Sequence, residues 1–281
     1  MLRYHPWTES RGERLTDMTE MIPFWAVLAA LLCSAPGCAA LRTAAIEYRD
    51  RDTVLEGYLA YDDEVKGRRP AVLVVHEWNG VGPYVKKRAE QLVGLGYVAM
   101  AADIYGKGVR PQTPEDSAKV AALYRNDRPL MRERARAALE VLRRDERVDP
   151  SKIAAIGYCF GGTTVLELAR SGAEIAGVVS FHGGLDTPNP ADARNIKCKV
   201  LALHGGDDPF VPPAQVSAFE QEMRAAGVDW QLNIYGGAVH SFTNPASGND
   251  PSRGAAYNEK ADRRSWQAMR LFFEEIFGAS R

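Results

Sequence analysis

IAAIGYCFGG, residues 153–162, is the stretch from which the rest of this 281-residue sequence is best understood. Its apolar first half predicts a buried strand, and the residues from Thr163 to Arg170 follow a helical pattern. A strand, a tight turn between glycines and a helix are the setting of a nucleophile elbow, here with Cys159 where serine is more usual. The small neighbours permit a strained turn, and the helix N-terminus favours negative charge beside it. The pattern predicts a nucleophilic thiol; an ordinary strand–helix turn around a small buried cysteine is the alternative.

Strands and helices alternate on both sides of this stretch. Apolar runs predict strands at 44–49, 53–60, 71–75, 97–102, 152–157, 175–181, 199–203 and 230–235. Helical spacing of apolar residues predicts helices at 83–95, 115–125, 129–145, 163–170, 214–226 and 257–277. The first two strands read as an antiparallel pair, and the later alternation indicates parallel β-α-β units. We therefore expect an α/β fold with a mostly parallel central sheet and helices on both faces.

The composition is that of an ordinary globular protein. Hydrophobic residues make up 46% of the chain and charged residues 25%, and the net charge is −1 at pH 7. A chain without an excess of basic residues has no electrostatic footprint for nucleic acid, so no nucleic-acid partner is expected. The four cysteines form no C-x-x-C pair and do not amount to a disulfide framework.

Residues 1–43 are predicted to be an N-terminal extension outside the folded domain. An arginine-containing polar start, an apolar run at 21–33 and small residues at 34–40 are similar to a secretory signal peptide, with cleavage after Ala40. The apolar run is short for a membrane span and no second span follows, so we expect none in the mature chain. Export to the periplasm or secretion is the expected localisation.

Two further readings of the N-terminal extension follow from its details. Residues 35–38 resemble a bacterial lipoprotein box, which would make Cys38 the site of a lipid anchor. A true start at Met18 or Met21 would remove the basic region and leave the protein in the cytoplasm. A buried or disordered N-terminal segment is the remaining alternative.

Unusual polar clusters stand at the predicted carboxyl ends of the strands, where open α/β sheets bind their ligands. These clusters are His76-Glu77-Trp78, Asp103, Cys159, His182, Asp208 and His240. A thiol that attacks a carbonyl needs a base, and the base needs a third group to orient it. Cys159, Asp208 and His240 follow one another in the chain order nucleophile, acid, histidine that α/β-hydrolases use.

Other residues compete for these roles. Asp207 is a second candidate for the acid, although we favour Asp208. His76, His182 and His204 are expected to form structural hydrogen bonds. No metal is expected, because the histidines and aspartates in these loops show no spacing typical of metal ligands.

Five motifs together resemble the dienelactone hydrolase family. They are HEWNG at 76–80, ADIYG at 102–106, GYCFGG at 157–162, GGDDPFVP at 205–212 and VHSF at 239–242. The resemblance implies a single α/β-hydrolase domain over residues 44–281 and a catalytic triad of Cys159, His240 and Asp208. It also implies that no cofactor is needed and that the reaction is hydrolysis of an enol-lactone or another carboxylic ester through a thioester acyl-enzyme. A small-molecule ester or lactone is thus the expected partner, and a monomer the expected state.

The same resemblance implies roles for three more residues. Glu77 stands where the family has a glutamate that holds the thiol in a resting state, and a nearby carboxylate does oppose thiolate formation. The backbone N–H groups of Trp78 and Phe160 correspond to the family's oxyanion hole, which stabilises the tetrahedral intermediate.

Substrate recognition departs from the family pattern. Enzymes that cleave dienelactone bind its carboxylate through arginines at two positions, where this sequence has Gly106-Lys107 and Thr243-Asn244. Lys107 or Arg110 could supply one positive charge, but lysine does not replace the bidentate fork of arginine. We expect a pocket with aromatic walls, formed by Trp78, Tyr105, Phe160 and Phe242 with Lys107 nearby.

Two rival functions remain open at this point. An exported, non-catalytic binding protein could use a hydrolase scaffold, since a fold does not fix a function. A thiol redox protein could pair Cys159 with Cys198 in an oxidising compartment.

Overall fold

The computed structural model describes residues 40–278, which form an eight-stranded sheet with helices on both faces. The strands are β1 (Leu41–Asp50), β2 (Thr53–Asp62), β3 (Arg69–Val75), β4 (Val98–Ala102), β5 (Val148–Tyr158), β6 (Gly177–Phe181), β7 (Lys199–Gly205) and β8 (Trp230–Tyr235). The helices are α1 (Pro83–Val93), α2 (Pro114–Asn126), α3 (Arg128–Arg144), α4 (Phe160–Arg170), α5 (Pro213–Ala226) and α6 (Glu259–Phe277). The mostly parallel sheet and all the predicted strands and helices are confirmed, with small shifts at their ends.

The strand order is β1-β2-β4-β3-β5-β6-β7-β8. β1 pairs with β2 and β2 with β4 in antiparallel fashion, whereas β4, β3 and β5 to β8 are parallel. β1 begins at Leu41, three residues before the predicted start of the domain at residue 44. The predicted signal segment and the candidate lipid site at Cys38 lie outside the described residues.

The parallel strands are buried on both faces because helices cover both sides. In β3, Ala71, Leu73 and Val75 pack in the apolar core beneath α2, α3, α4 and α5. Val72 and Val74 point the opposite way, into the core formed with α1 and α6. Strand β3 is therefore the centre of the fold. Among residues 40–278, no helix combines the length and the apolarity that crossing a bilayer requires.

The chain reverses its direction of travel across the sheet at β3. From β3 it runs outward to β4, and then returns to place β5 on the other side of β3. The carboxyl ends of strands that flank such a reversal form a crevice, which is where α/β sheets bind ligands. Val75 pairs with Gly157 at this level, so the segments after β3 and β5 begin side by side.

Candidate active site

Cys159 occupies a strained turn between β5 and α4. Its φ and ψ are 54° and −114°, a region that non-glycine residues rarely adopt and that is typical of nucleophile elbows. The turn depends on its glycines: a Cβ on Gly157 would lie 2.0 Å from the Gly161 carbonyl oxygen, and one on Gly161 would lie 2.3 Å from that of Val75. Close packing of backbone on backbone therefore holds Cys159 in place at the head of α4, and its exposed fraction is 7%.

His240 and Asp208 meet beside the elbow. Nδ1 of His240 donates to Oδ2 of Asp208 at 2.8 Å, and the carboxylate is fully buried. The other carboxylate oxygen, Oδ1, accepts the N–H of Phe210 at 2.9 Å. Asp207, the competing candidate, is exposed on the loop. Of the two aspartates, it is thus Asp208 that orients the histidine.

The charges around His240 favour its protonated form. Burial lowers the pKa of His240, but the Cys159 thiolate and the bonded Asp208 carboxylate outweigh burial and raise that pKa from 6.5 to about 10. The surroundings of His240 therefore favour a positively charged imidazole beside the thiol.

The loop after β8 is pinned to the rest of the molecule so that His240 is fixed. The N–H of His240 donates to the Gly254 carbonyl at 3.1 Å, and its own carbonyl accepts the N–H of Ala256 at 3.0 Å. The ring of Phe210 stands edge-on to the imidazole, with centroids 5.4 Å apart. These contacts leave Nε2 as the ring atom available to the thiol.

Glu77 follows β3 and is buried, with an exposed fraction of 6%. Ser241 donates to Oε1 at 2.9 Å and Asn244 donates to Oε2 at 2.6 Å. Burial raises the pKa of Glu77, and these two hydrogen bonds oppose that rise. Both oxygens are bound to the loop that carries His240, so the carboxylate ties that loop to the end of β3. Within residues 40–278, Glu77 makes no hydrogen bond to Cys159.

Two backbone donors are left free beside the thiol. Trp78 and Phe160 each lie three residues beyond the paired positions Val75 and Gly157. Across residues 40–278, neither the N–H of Trp78 nor that of Phe160 has an acceptor. Backbone N–H groups that the protein leaves unpaired can bind a ligand, and an oxyanion is such a ligand.

Comparison with known proteins agrees with this arrangement. A sequence model of the dienelactone hydrolase family matches residues 55–277, a range that contains every residue described above for the site. The chain belongs to the dienelactone hydrolase family. Membership makes it a hydrolase of the kind that cleaves esters or lactones, and the predicted α/β-hydrolase fold is confirmed.

Several relatives of this dienelactone hydrolase family member are informative. The crystal structure of a dienelactone hydrolase-like promiscuous phosphotriesterase from metagenomic libraries is 42% identical, with a TM-score of 0.81, and the match covers 85% of this chain and 100% of that one. A protein of Aquifex aeolicus named "Putative carboxymethylenebutenolidase" is 28% identical over 233 residues, 82% of this chain and 96% of that protein. A dienelactone hydrolase structure from Anabaena variabilis, 20% identical over 82% of this chain and 98% of that one, has a TM-score of 0.60 and shares the fold.

The aromatic residues predicted to form the substrate pocket differ in their exposure in this family member. Trp78 is 36% exposed and, with Arg110, lines a groove of about 440 Å³. Tyr105 is buried, and its hydroxyl donates to the Trp78 carbonyl at 3.0 Å. The ring of Phe242, also predicted for the pocket wall, is fully buried and packs against His182. It supports the site from behind.

The positive charges that could bind a substrate carboxylate are already engaged. Lys107 pairs with Glu47 and Glu56 on the protein surface, and its role as a pocket residue stays a prediction. The guanidinium of Arg110 donates to the carbonyls of Val81, Gly106, Val109 and Glu56 and lies 3.5 Å from Asp103. The two positions where the family pattern has arginines thus lack a free cation. Asn244, at one of them, binds Glu77 instead.

His182 supports the elbow through a buried hydrogen-bond chain. Its Nδ1 accepts the N–H of Cys159 at 3.1 Å, and its Nε2 lies 2.7 Å from Oγ1 of Thr243. Thr243 continues to the hydroxyl of Tyr84 at 2.6 Å, which in turn accepts from Arg88 at 3.1 Å. Burial lowers the pKa of His182 well below its usual value, so the ring is neutral. The expectation that His182 is structural fits this role.

Three contacts of the site were missed by sequence reasoning. Ser241 and Asn244 hold Glu77, and Phe210 packs against His240. Ser241 lies in the VHSF motif and Phe210 in the GGDDPFVP motif, so membership of those motifs was the available signal. Asn244 was noted only as a position that lacks arginine.

Proposed function

We propose that this dienelactone hydrolase family member cleaves uncharged carboxylic esters or lactones through Cys159, His240 and Asp208, with a thioester acyl-enzyme. The observation that carries the proposal is a thiol held on a strained elbow, together with a histidine whose Nδ1 is bound to a buried carboxylate and whose pKa that thiol and carboxylate raise. A nucleophile, a base and an orienting acid in mutual contact are the requirements for acyl transfer.

In the acylation half-reaction, Cys159, His240 and Asp208 each have one role. Nε2 of His240 takes the proton of the Cys159 thiol while Asp208 keeps the proton on Nδ1. The thiolate attacks the substrate carbonyl carbon, and the N–H groups of Trp78 and Phe160 stabilise the oxygen that becomes negative. Collapse of the tetrahedral intermediate breaks the ester C–O bond, and the leaving alkoxide takes the proton from the imidazolium. For a lactone, the freed hydroxyl remains attached to the acyl group.

Deacylation repeats these steps with water. His240 removes a proton from a water molecule, whose oxygen attacks the thioester carbonyl. The second tetrahedral intermediate collapses with cleavage of the C–S bond, releases the carboxylic acid and restores the Cys159–His240 pair. No oxidant, reductant or metal enters the balance of either step.

The preference for uncharged substrates rests on the ion pairs of the neighbouring loops. Lys107 and Arg110 are both bound to protein oxygens. A substrate carboxylate would have to displace those partners or enter a buried site unpaired, and the second is costly. The promiscuous phosphotriesterase that resembles this chain makes a neutral phosphotriester a sensible addition to a substrate panel.

The redox alternative is disfavoured by the position of the two thiols. Cys159 follows the carboxyl end of β5, whereas Cys198 directly precedes β7. The two thiols therefore lie at opposite ends of parallel strands. Tyr158 pairs with Phe181 on β6, and Phe181 pairs with Leu203 on β7, five residues after Cys198. The distance between Cys159 and Cys198 along the strand direction alone is therefore on the order of 15 Å. A disulfide needs Cα atoms within about 7 Å.

Hydrolysis by purified Cys159→Ala and Cys198→Ala proteins tests the proposal. The substrates are p-nitrophenyl acetate, an uncharged lactone, a carboxylate-bearing lactone and a neutral phosphotriester. We expect Cys159→Ala to lower kcat/KM for the uncharged esters by at least about 10³-fold, and Cys198→Ala to retain wild-type rates. A Cys159→Ala protein that still hydrolyses these substrates at near wild-type rates would overturn the mechanism, and a wild-type protein that hydrolyses none of them would favour the binding-protein alternative. Preference for the charged lactone would overturn the substrate class.

A further inference from the structure

The structure points to a role for His76 that depends on the proposed oxyanion hole. We propose that His76 is a positioning residue, whose neutral imidazole turns the Glu77–Trp78 peptide so that the Trp78 N–H faces the reacting carbonyl. The proposal thus extends the proposed function to a residue that never touches substrate.

Both ring nitrogens of His76 are in use. Nε2 accepts the N–H of Ile104 at 3.3 Å, and Nδ1 lies 2.5 Å from the carbonyl oxygen of Glu77. Because Nε2 accepts the Ile104 N–H, it must carry a lone pair and no hydrogen. In the neutral ring the proton is therefore on Nδ1, which donates it to the Glu77 carbonyl oxygen. The hydrogen-bond partners therefore fix a single tautomer.

Holding the Glu77 carbonyl also fixes the direction of the Trp78 N–H. The peptide bond is planar and trans, so its C=O and N–H point in opposite directions. The Glu77 oxygen has one further donor, the N–H of Gly80, at a longer 3.4 Å. On the other side of Trp78, the Tyr105 hydroxyl anchors the Trp78 carbonyl at 3.0 Å. Both peptides of Trp78 are thereby tied down.

His76 also contacts the residue that supplies the second free donor. Its ring stacks on Phe160, with centroids 5.7 Å apart and planes 11° apart. It meets Tyr105 edge-on, with centroids 4.6 Å apart. One side chain thus binds the peptide of Trp78 and packs against the side chain of Phe160. Movement of His76 would change the spacing of the two donors, which has to match a single oxyanion.

The burial of His76 separates this role from acid–base catalysis. The side chain has no exposed surface, and both nitrogens are bonded to the backbone. Burial lowers the pKa of His76 to about 4, so the ring stays neutral and Nε2 stays an acceptor at physiological pH. The residue acts on the reaction only through the peptide that it holds.

The test compares His76→Asn with His76→Leu in the full-length chain. Asn and Leu have nearly the same shape and leave the same space behind, but only the Asn amide can donate to the Glu77 carbonyl from the Nδ1 position. We expect kcat for p-nitrophenyl acetate to fall roughly 10- to 100-fold in His76→Leu, a part of the loss for one oxyanion donor. We expect kcat of His76→Asn to be at least about tenfold higher than that of His76→Leu, with KM little changed in either variant. Should His76→Leu not fold, His76→Phe, which keeps a ring, takes its place.

Two readouts distinguish positioning from general damage. Cys159 alkylation by iodoacetamide needs no oxyanion hole, so its rate should remain within about twofold of wild type in each folded variant. The ratio of kcat/KM for an ester to that for its thionoester should fall in the variant that lacks the donor, because sulfur depends less on these hydrogen bonds. Equal kcat in His76→Asn and the apolar variant, or a parallel loss of alkylation, overturns the proposal. Failure of the proposed function would appear separately, as an active Cys159→Ala protein.

Discussion

Replacing Asp208 with Asn is the most direct test of how the base is oriented. In the native protein the two carboxylate oxygens have different donors: Oδ1 accepts the N–H of Phe210 and Oδ2 accepts Nδ1–H of His240. An asparagine has a single oxygen. The Phe210 N–H lies in a fixed backbone turn and requires that oxygen, so the amide NH2 is left facing the imidazole.

An NH2 group facing Nδ1 reverses the tautomer of His240. Nδ1 must then accept, the proton moves to Nε2, and the thiol meets a donor where it needs a base. The loss of the carboxylate also removes one of the groups that raise the pKa of His240 to about 10. Loss of the correct tautomer in a catalytic triad costs about 10⁴ in kcat in the best-known case. We expect a fall of about 10³- to 10⁴-fold in Asp208→Asn.

The assay is hydrolysis of p-nitrophenyl acetate between pH 6 and 9, together with the rate of Cys159 alkylation by iodoacetamide. Alkylation should slow because the thiolate loses its stabilised imidazolium partner. Asp207→Asn is the matched control: it changes the same charge one residue away, on an exposed side chain, and should alter kcat less than about twofold. Activity of Asp208→Asn within tenfold of wild type, or an equal loss in Asp207→Asn, would refute this account of the site.

Three further changes test other parts of the structure. Glu77→Gln removes a buried carboxylate charge but keeps side-chain atoms that can bond to the loop after β8. We expect iodoacetamide to alkylate Cys159 faster at pH 6–7 in this variant and the melting temperature to stay largely unchanged. Slower alkylation would contradict the argument that the carboxylate repels a thiolate. Gly161→Ala places a Cβ 2.3 Å from a backbone oxygen of β3 and should lower the free energy of unfolding, measured by denaturant titration, by more than about 3 kcal/mol. Gly236→Ala is the control: its Cβ meets nothing within 4 Å, and the free energy of unfolding should change by less than about 1 kcal/mol. Burial lowers the pKa of His76 to about 4, so between pH 6.5 and 4 the unfolded chain binds a proton that the folded chain does not, and the folded protein loses stability as the pH is lowered through that range. His76→Asn has no such group, so its free energy of unfolding should fall by about 3 kcal/mol less than that of wild type over the same range. Parallel pH profiles of the two proteins would refute the assignment.

The strands and helices could be predicted because each has a period or a boundary that the sequence displays. The apolar run before Cys159 and the glycines after it specify a strand and an elbow without any information from distant residues. The order of Cys159, Asp208 and His240 then followed from parallel strands, whose carboxyl ends meet at one edge. The family resemblance added the free N–H donors at Trp78 and Phe160.

The contacts that sequence reasoning missed are those between segments far apart in the chain. Nothing local to Glu77 shows that Ser241 and Asn244, more than 160 residues later, bind its two oxygens. Aromatic character alone placed Phe242 in a pocket wall, but its ring is fully buried and packs against His182, which is distant in the sequence, and against Tyr235 of β8. Lys107 was judged by its charge, and its pairing with Glu47 on β1 depends on how the antiparallel edge packs.

The dependence of the site on the loop after β8 has a consequence for the timing of biosynthesis. Cys159 is made well before residues 240–244, and that late segment supplies the base, both ligands of Glu77 and the threonine that binds His182. A nascent chain that ends before this segment therefore contains the thiol but not the histidine of the proposed triad. In the proposed mechanism, such a chain cannot hydrolyse an ester until the loop after β8 has been made and has folded onto the sheet.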